Sequence, residues 1–380
     1  MKFNHQQLKG RRRMINTKEQ ITPGQLIFLI IQTQIGVGLL GLTARVHNVS
    51  KGDAWISVLF AGLLTQLFIV IMWSLSRRFP THTLYDNLLT LLGRYIGKLA
   101  QLLYTGYFVT ISSFIVVEFS ITVQNWILID TPRWVVMGMM LGVCLYLVRE
   151  RLQTIARFFV LVFFCNIVVI LIICYAYSHV NILYALPIGQ SGIEKIAKGS
   201  HKAMTSFSGY EMLMVCYPFV QGGSLGKLKA AGFANMFTTI LYAFAVFTSI
   251  IVFSPAEMEL IPQPLLYMVK ALSFSVFERP DLYFLSLWAV ASASSLIGYV
   301  FMASRGLANL FQKHSDHRKA APYTVLLVFV IGLIFQAPRT NYILGNFLST
   351  LSYIFVIGIP LLLLLISLLF NVKESRRDMR

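Results

Sequence analysis

Apolar residues in this chain run in blocks of about twenty, separated by short polar breaks. A helix rising about 1.5 Å per residue needs roughly that many to cross about 30 Å of bilayer hydrocarbon. The blocks predict helices near residues 26–45, 54–76, 100–127, 133–148, 156–178, 203–220, 229–253, 282–304, 322–337 and 343–370. Membrane-spanning strands would instead show roughly ten-residue stretches of alternating polarity, and the chain shows none. The first block is too long, and lacks the small-residue cleavage site, for a removable leader, so it counts as the first span. The expected class is an all-α integral membrane protein with about ten transmembrane helices.

Composition agrees, with 57% hydrophobic and 12% charged residues and a mean hydropathy of +0.70. The net charge of +17 changes the picture only by orienting it. If the N-terminus is cytoplasmic, the inner segments hold most of the 32 lysines and arginines: the tail up to Lys18, the stretch Arg77 to Lys98, Arg149 to Arg157, Lys227 and Lys229, Arg305 to Lys319, and the tail from Lys373. That is the positive-inside bias, which puts both termini in the cytoplasm and adds attraction to anionic membrane lipids. The basic residues are scattered over many loops and form no single stripe, so no nucleic acid is expected as a partner. Cys144, Cys165, Cys174 and Cys216 lie inside apolar blocks without paired spacing, and the seven histidines fall near block ends or in loops. Neither pattern makes a metal site. No nucleophile-and-base arrangement points to an enzyme, and no cofactor motif is present.

A longer polar connection at about 179–202 divides the blocks five and five. An odd number of spans per half sends the second half into the bilayer from the other side, which makes an inverted repeat if the halves share a fold. The expected layout is a basic tail at 1–22, one transmembrane domain at 23–370 with halves 23–178 and 203–370, and a basic tail at 371–380. Each half opens with an interrupted block. In "QTQIGVGLLGL" the interruption falls at Gly36, Val37 and Gly38; in "MTSFSGYEML" it falls at Ser206, Phe207, Ser208, Gly209 and Tyr210. Glycine costs a helix about 1 kcal/mol relative to alanine. Freed backbone groups are tolerable in a membrane only where they line an enclosed or watery space. The opened N–H groups would suit a ligand carboxylate, and the carbonyls an ammonium group or cation. The first-half glycines read equally well as a close helix-packing surface; the second interruption at the matching position favours a site.

Two acids sit well within apolar sequence, Glu118 and Glu211. Each is either a protonated carboxyl hydrogen-bonded between helices or a group that binds a cation or couples to protons. Ser292, Ser294 and Ser295 offer hydroxyls at one depth of the eighth block, as part of the same cavity or as interhelical contacts. Arg157 is either a fixed charge standing in for a bound cation or an interfacial arginine.

The stretches "KEQITPGQLIFLIIQTQIGVGLLGL" and "SFSGYEMLMVCYPFV", with the order of spans, resemble the endospore germination permease family from about residue 18 to 370. These are the B subunits of germinant receptors, within the amino acid, polyamine and organocation transporter superfamily. The resemblance implies a leucine-transporter-type fold of 5+5 inverted repeats with helices 1 and 6 broken around a ligand. It implies a small-molecule germinant, an amino acid first and a sugar or nucleoside next, with A and C receptor subunits as partners in the spore inner membrane. The superfamily's first-helix break maps to Gly36, Val37 and Gly38; its sixth-helix pattern is matched in part by Phe207, Ser208, Gly209, Tyr210 and Glu211, with Ser208 interposed between aromatic and glycine. Nutrient sensing is the expected function, and proton- or cation-coupled amino acid transport the alternative, with Glu118, Glu211, Ser292 and Ser295 as the groups that would handle the ion.

Overall fold

Thr22 and Gln25 start the first helix by capping one another. Thr22 Oγ1 accepts from the Gln25 N–H at 3.2 Å, and Gln25 Oε1 accepts from the Thr22 N–H at 2.9 Å. Pro23 follows at the first helical position, where an N–H would have no intrahelical partner to lose. The computed structural model describes residues 19–272, 279–311 and 316–374. The basic tails up to Lys18 and from residue 375, with Lys313, lie outside the described residues.

Helix α1 (Pro23–Gln34) stops in mid-span and α2 (Gly38–Ser50) resumes three residues on. Helix α3 (Ala54–Arg78) returns, a short α4 (Leu84–Leu92) turns the chain, and α5 (Arg94–Trp126), α6 (Arg133–Val148) and α7 (Leu152–Tyr175) complete the first half. The sixth span is also in pieces: α8 (Gly192–Met204), a 3-10 turn at Thr205–Phe207, and α9 (Met212–Cys216). Next come α10 (Ser224–Val252), two short helices α11 (Pro255–Leu260) and α12 (Pro264–Ala271), α13 (Pro280–Phe311) and α14 (His317–Phe335). The last span is α15 (Pro338–Ser352) and α16 (Ile359–Leu369), joined through a π-helical turn at Tyr353–Gly358.

Seven helical stretches among the described residues are long and apolar enough to cross a membrane. Helix α6, at 16 residues, falls just short, and the first and sixth spans are split, so ten spans result. The most extensive packing is α13 on α5 and α10 on α3, that is, eighth span on third and seventh on second. An axis relating two inverted halves brings those pairs together. Leu161, Phe164 and Leu171 on α7, and Leu326, Val330 and Ile334 on α14, face outward as an apolar belt. Within the bundle, buried Gln, Asn, Ser and Thr side chains are common, the reverse of a soluble protein.

The expected sixth span at 203–220 begins too late. Its first half is α8, whose sequence GIEKIAKGSHKAM carries too many polar residues to register as a span. Small residues hold it instead: a Cβ on Gly199 would lie 2.6 Å from Ser57 Oγ and 2.7 Å from Ser50 Oγ. The loop before it is tied to the start of α3 by buried Asp53, which accepts from the N–H groups of Gly189 at 2.7 Å and Ser191 at 2.9 Å. Two charge-assisted bonds satisfy a carboxylate that would otherwise be costly to bury.

Candidate functional site

The two interruptions meet. Between α1 and α2, Ile35, Gly36 and Val37 leave the helix. Between the 3-10 turn and α9, Gly209 adopts φ +128°, a conformation that only glycine enters freely. A Cβ there would stand 2.7 Å from the Thr33 carbonyl carbon and 2.8 Å from Gln34 N, so the second interruption lies directly on the backbone of the first. Gly36 abuts α13 just as closely, since a Cβ on it would come within 2.7 Å of Ser295 Cβ and 3.9 Å of Ser292 Cα.

Most of the carbonyls released by the breaks are taken up by side chains. Ser295 Oγ donates to Thr33 O at 2.8 Å. Tyr242 on α10 places its hydroxyl 2.8 Å from Gln34 O and 3.2 Å from Ser206 O, one oxygen touching both breaks. The Gln34 side chain donates to Phe207 O at 2.8 Å and accepts from Thr238 Oγ1 at 3.0 Å. The donors fare differently. Among the described residues the backbone N–H groups of Gly36, Val37 and Gly38 have no acceptor. Unpaired donors in a buried backbone cost about 1–3 kcal/mol each, a price that structures carry where function requires it.

Glu211 begins α9. One carboxylate oxygen accepts from the Gly209 N–H, and the other, Oε1, is buried with no partner among the described residues. The hydroxyl of Tyr299 on α13 is also buried and, among the described residues, unpartnered, and Tyr107 on α5 places a second buried hydroxyl nearby, beside Ser352. Ser292 Oγ is a further buried group without a partner among the described residues. Acceptor and hydroxyls thus gather behind the second break, next to unsatisfied N–H groups at the first.

A family model described as "Spore germination protein" matches residues 20–342. The chain belongs to the spore germination permease family. Similar family members include spore germination protein GerQB of Bacillus cereus, 26% identical over 93% of this chain and 97% of that one. YndE of Bacillus subtilis (strain 168) is 26% identical over 93% and 98%. Spore germination protein B2 of the same strain is 22% identical over 92% and 95%. Among solved structures the chain resembles MhsT in complex with L-phenylalanine, with TM-score 0.64, 13% identity and coverage of 96% of this chain and all of that one. It also resembles Mhp1, a nucleobase-cation-symport-1 family transporter closed around bromovinylhydantoin, with TM-score 0.69, 10% identity and coverage of 98% and 84%. At such identities these two establish the fold, which is that of the leucine-transporter type with first and sixth helices broken.

In this family member, then, Gly36, Val37, Gly38, Ser206, Phe207, Ser208, Gly209, Tyr210, Glu211, Ser292 and Ser295 come together around the paired breaks. Glu118 does not join them. It lies about two turns from the end of α5, where its carboxylate accepts from Asn341 of α15. Arg157 is exposed on α7. The space between the breaks is narrow, filled by Ser295 against Gly36 and Ser206 against Gly38. A cleft opens beside it, lined by Thr205, Ser208 and Tyr210 on one side and Ser349, Tyr353 and Val356 on the other, with room for one water. The π-helical turn forms its far wall, and Tyr104 OH satisfies Phe355 O of that turn at 2.6 Å. His201 stacks on Tyr353, one of the cleft's lining residues, at 4.9 Å.

Sequence reasoning passed over Tyr107, Tyr242 and Tyr299 because tyrosines are plentiful and read as ordinary membrane aromatics. It also passed over Arg45, at the edge of the first apolar block. Its Nη2 donates to Gly38 O at 3.1 Å and to Ser206 Oγ at 2.7 Å, clamping the two breaks. A lone arginine at the end of a broken span was the signal available.

Proposed function

We propose that this protein is the transporter-like subunit of a spore germinant receptor: a small nutrient, an amino acid first, binds at the paired breaks and the subunit passes that event to A and C partner subunits. The observation that carries the reading is the set of unpaired N–H groups at Gly36, Val37 and Gly38, held against a second break whose Glu211 has an oxygen to spare. Together they offer donors for a carboxylate and an acceptor for an ammonium group. Family membership supplies the germination context, and the MhsT likeness shows that this fold in another protein accommodates L-phenylalanine. The space between the breaks is tight, so a ligand would enter by favouring a looser arrangement of the bundle, and the difference between arrangements is what partner subunits would read. The spore inner membrane, with both chain ends cytoplasmic, is the location consistent with the family and with the distribution of basic residues.

The test is a germination assay on spores whose only receptor contains this subunit, against a panel of amino acids, sugars and nucleosides. A response to one class that disappears with the subunit supports sensing. A wild-type response to every nutrient after deletion refutes it. The second reading, coupled transport, is favoured by the Glu211, Tyr107 and Tyr299 cluster, which could hold a cation or a proton. Vesicles containing this protein alone would then accumulate labelled ligand against its gradient; binding without accumulation favours the sensor.

A further inference from the structure

A second cleft opens where α6 ends and α14 begins, lined by Arg149, Asp316, Arg318, Lys319, Pro322 and Tyr323, with a volume of about 510 Å³. None of these residues belongs to the paired breaks. Buried His317 holds the frame together: its Nε2 donates to Glu150 O at 3.1 Å, in the turn after α6, and its ring stands edge-on to Phe301 of α13 at 4.9 Å. Asp316 caps α14 by accepting from the Arg318 N–H at 3.2 Å, and it also takes the Arg318 guanidinium. Arg149 and Lys319 are exposed, and among the described residues their side chains make no hydrogen bond or ion pair. The lining carboxylate is therefore engaged, and two cations stand open beside it. Glu150 and Arg151, exposed in the same turn, offset one another.

Beyond the cleft the surface turns apolar. On α14, exposed Tyr323 starts a stripe that Leu326, Leu327, Val330 and Ile334 continue at helical spacing; on α6, exposed Tyr146, Val143 and Met139 run back from Arg149 in the same manner. The two helices are in contact, since a Cβ on Gly332 of α14 would lie 2.6 Å from Met137 Cε of α6. Two adjoining apolar faces thus lead from the cations into the depth of the bilayer, with a tyrosine on each at the interface. A soluble anion would use the cations and nothing else. A phospholipid uses both features: its phosphate meets the guanidinium fork of Arg149 and the ammonium of Lys319, and its acyl chains lie along the stripes. Choline and ethanolamine headgroups add an ammonium, for which the lining offers no free carboxylate because Asp316 already faces Arg318. We propose that this cleft is a binding site for a phospholipid whose headgroup carries a net negative charge. The proposal stands independently of nutrient binding.

The experiment is native mass spectrometry of the full chain in a nonionic detergent, titrated with phosphatidylglycerol or with phosphatidylcholine of the same acyl chains. The wild type should take up its first phosphatidylglycerol about tenfold more tightly than phosphatidylcholine, as two basic residues at a membrane surface supply. The double variant Arg149→Gln/Lys319→Gln should narrow that preference to within about twofold. Removing two exposed basic residues elsewhere, Arg94→Gln/Lys98→Gln at the start of α5, should leave it unchanged. Each readout is a ratio within one protein, so loss of folded material does not imitate it; if the double variant fails to fold, Lys319→Gln alone, expected to lose about threefold, decides the matter. Millimolar inorganic phosphate should leave the bound lipid in place. Equal uptake of both lipids by the wild type overturns the proposal, as does a preference that survives Arg149→Gln/Lys319→Gln or falls equally in Arg94→Gln/Lys98→Gln. Displacement by inorganic phosphate as effective as by phosphatidylglycerol itself assigns the cleft to a soluble anion and overturns it too.

Discussion

Gly36 has almost no room for anything but hydrogen, because Ser295 Cβ occupies the place where its side chain would go. Gly36→Ala should therefore act by overpacking, at a cost of about 1–3 kcal/mol, and not through backbone conformation. The expected outcome is a lower unfolding temperature in detergent and at least about tenfold weaker ligand binding, with normal membrane insertion. Adding Ser295→Gly should recover part of both losses by vacating the contact. Wild-type binding in the single variant would show that the break and α13 are not in close contact. The glycine was readable from the sequence as an oddity in an apolar run. Its partner was not, because Ser295 lies more than 250 residues away and looks like any serine in a membrane helix. Gly209 differs: its positive φ and its contact with the Thr33 and Gln34 backbone both demand glycine, so no compensating substitution exists there.

Two half-helices laid end to end have no reason to stay aligned unless something stitches them, and Tyr242 serves both pairs at once. Tyr242→Phe keeps the ring packed against Phe207 and removes only the hydroxyl. Two carbonyls would be left unpaired, destabilising the breaks by about 1–3 kcal/mol. Hydrogen exchange should quicken at the helix ends flanking both breaks while the centres of α3 and α5 stay protected; uniform exchange across the bundle would contradict the stitching role. At this scale the sequence conveyed where helices weaken but not how the weak points are secured. Helix α8 shows the limit from the other side: hydropathy missed it because close contact between Gly199 and two serines replaces apolar burial.

Seen whole, the bundle is tied at both ends. At one face, Ile21 N–H donates to Phe219 O and Gln221 N–H to Ile21 O, each at 2.9 Å, joining the start of the first span to the end of the sixth. Glu19 and Arg305 pair at 3.0 Å beside them, with the guanidinium also over the Phe219 ring at 4.8 Å. At the opposite face Lys51, after α2, pairs with Glu259 of α11 at 2.8 Å, and both are at least half exposed. The hydrogen bond from Lys51 holds the Glu259 carboxyl below the usual carboxylate range. A carboxyl depressed in the folded state favours the closed contact above its unfolded pKa, and that preference is lost as pH falls through the folded value. Spin labels on the end of α2 and on α11 should keep a narrow distance distribution between about pH 6 and 8 and broaden below about pH 4. High salt should weaken the contact at neutral pH because the pair is exposed. A distribution unaffected by either would show that the pair does not fasten this face.

The sequence by itself determined the membrane class, most of the span order and the two positions where helices come apart. Those properties are local: hydropathy accumulates along one helix, and a glycine weakens the turn it occupies. Tertiary structure alone decided that the breaks touch, that Tyr242 and Arg45 bridge them, and that Glu118 lies apart from Glu211 although both read as equivalent buried acids. Each of these depends on how far one helix is rotated against another, and that rotation is fixed by side chains hundreds of residues apart in the chain, where no local pattern records it.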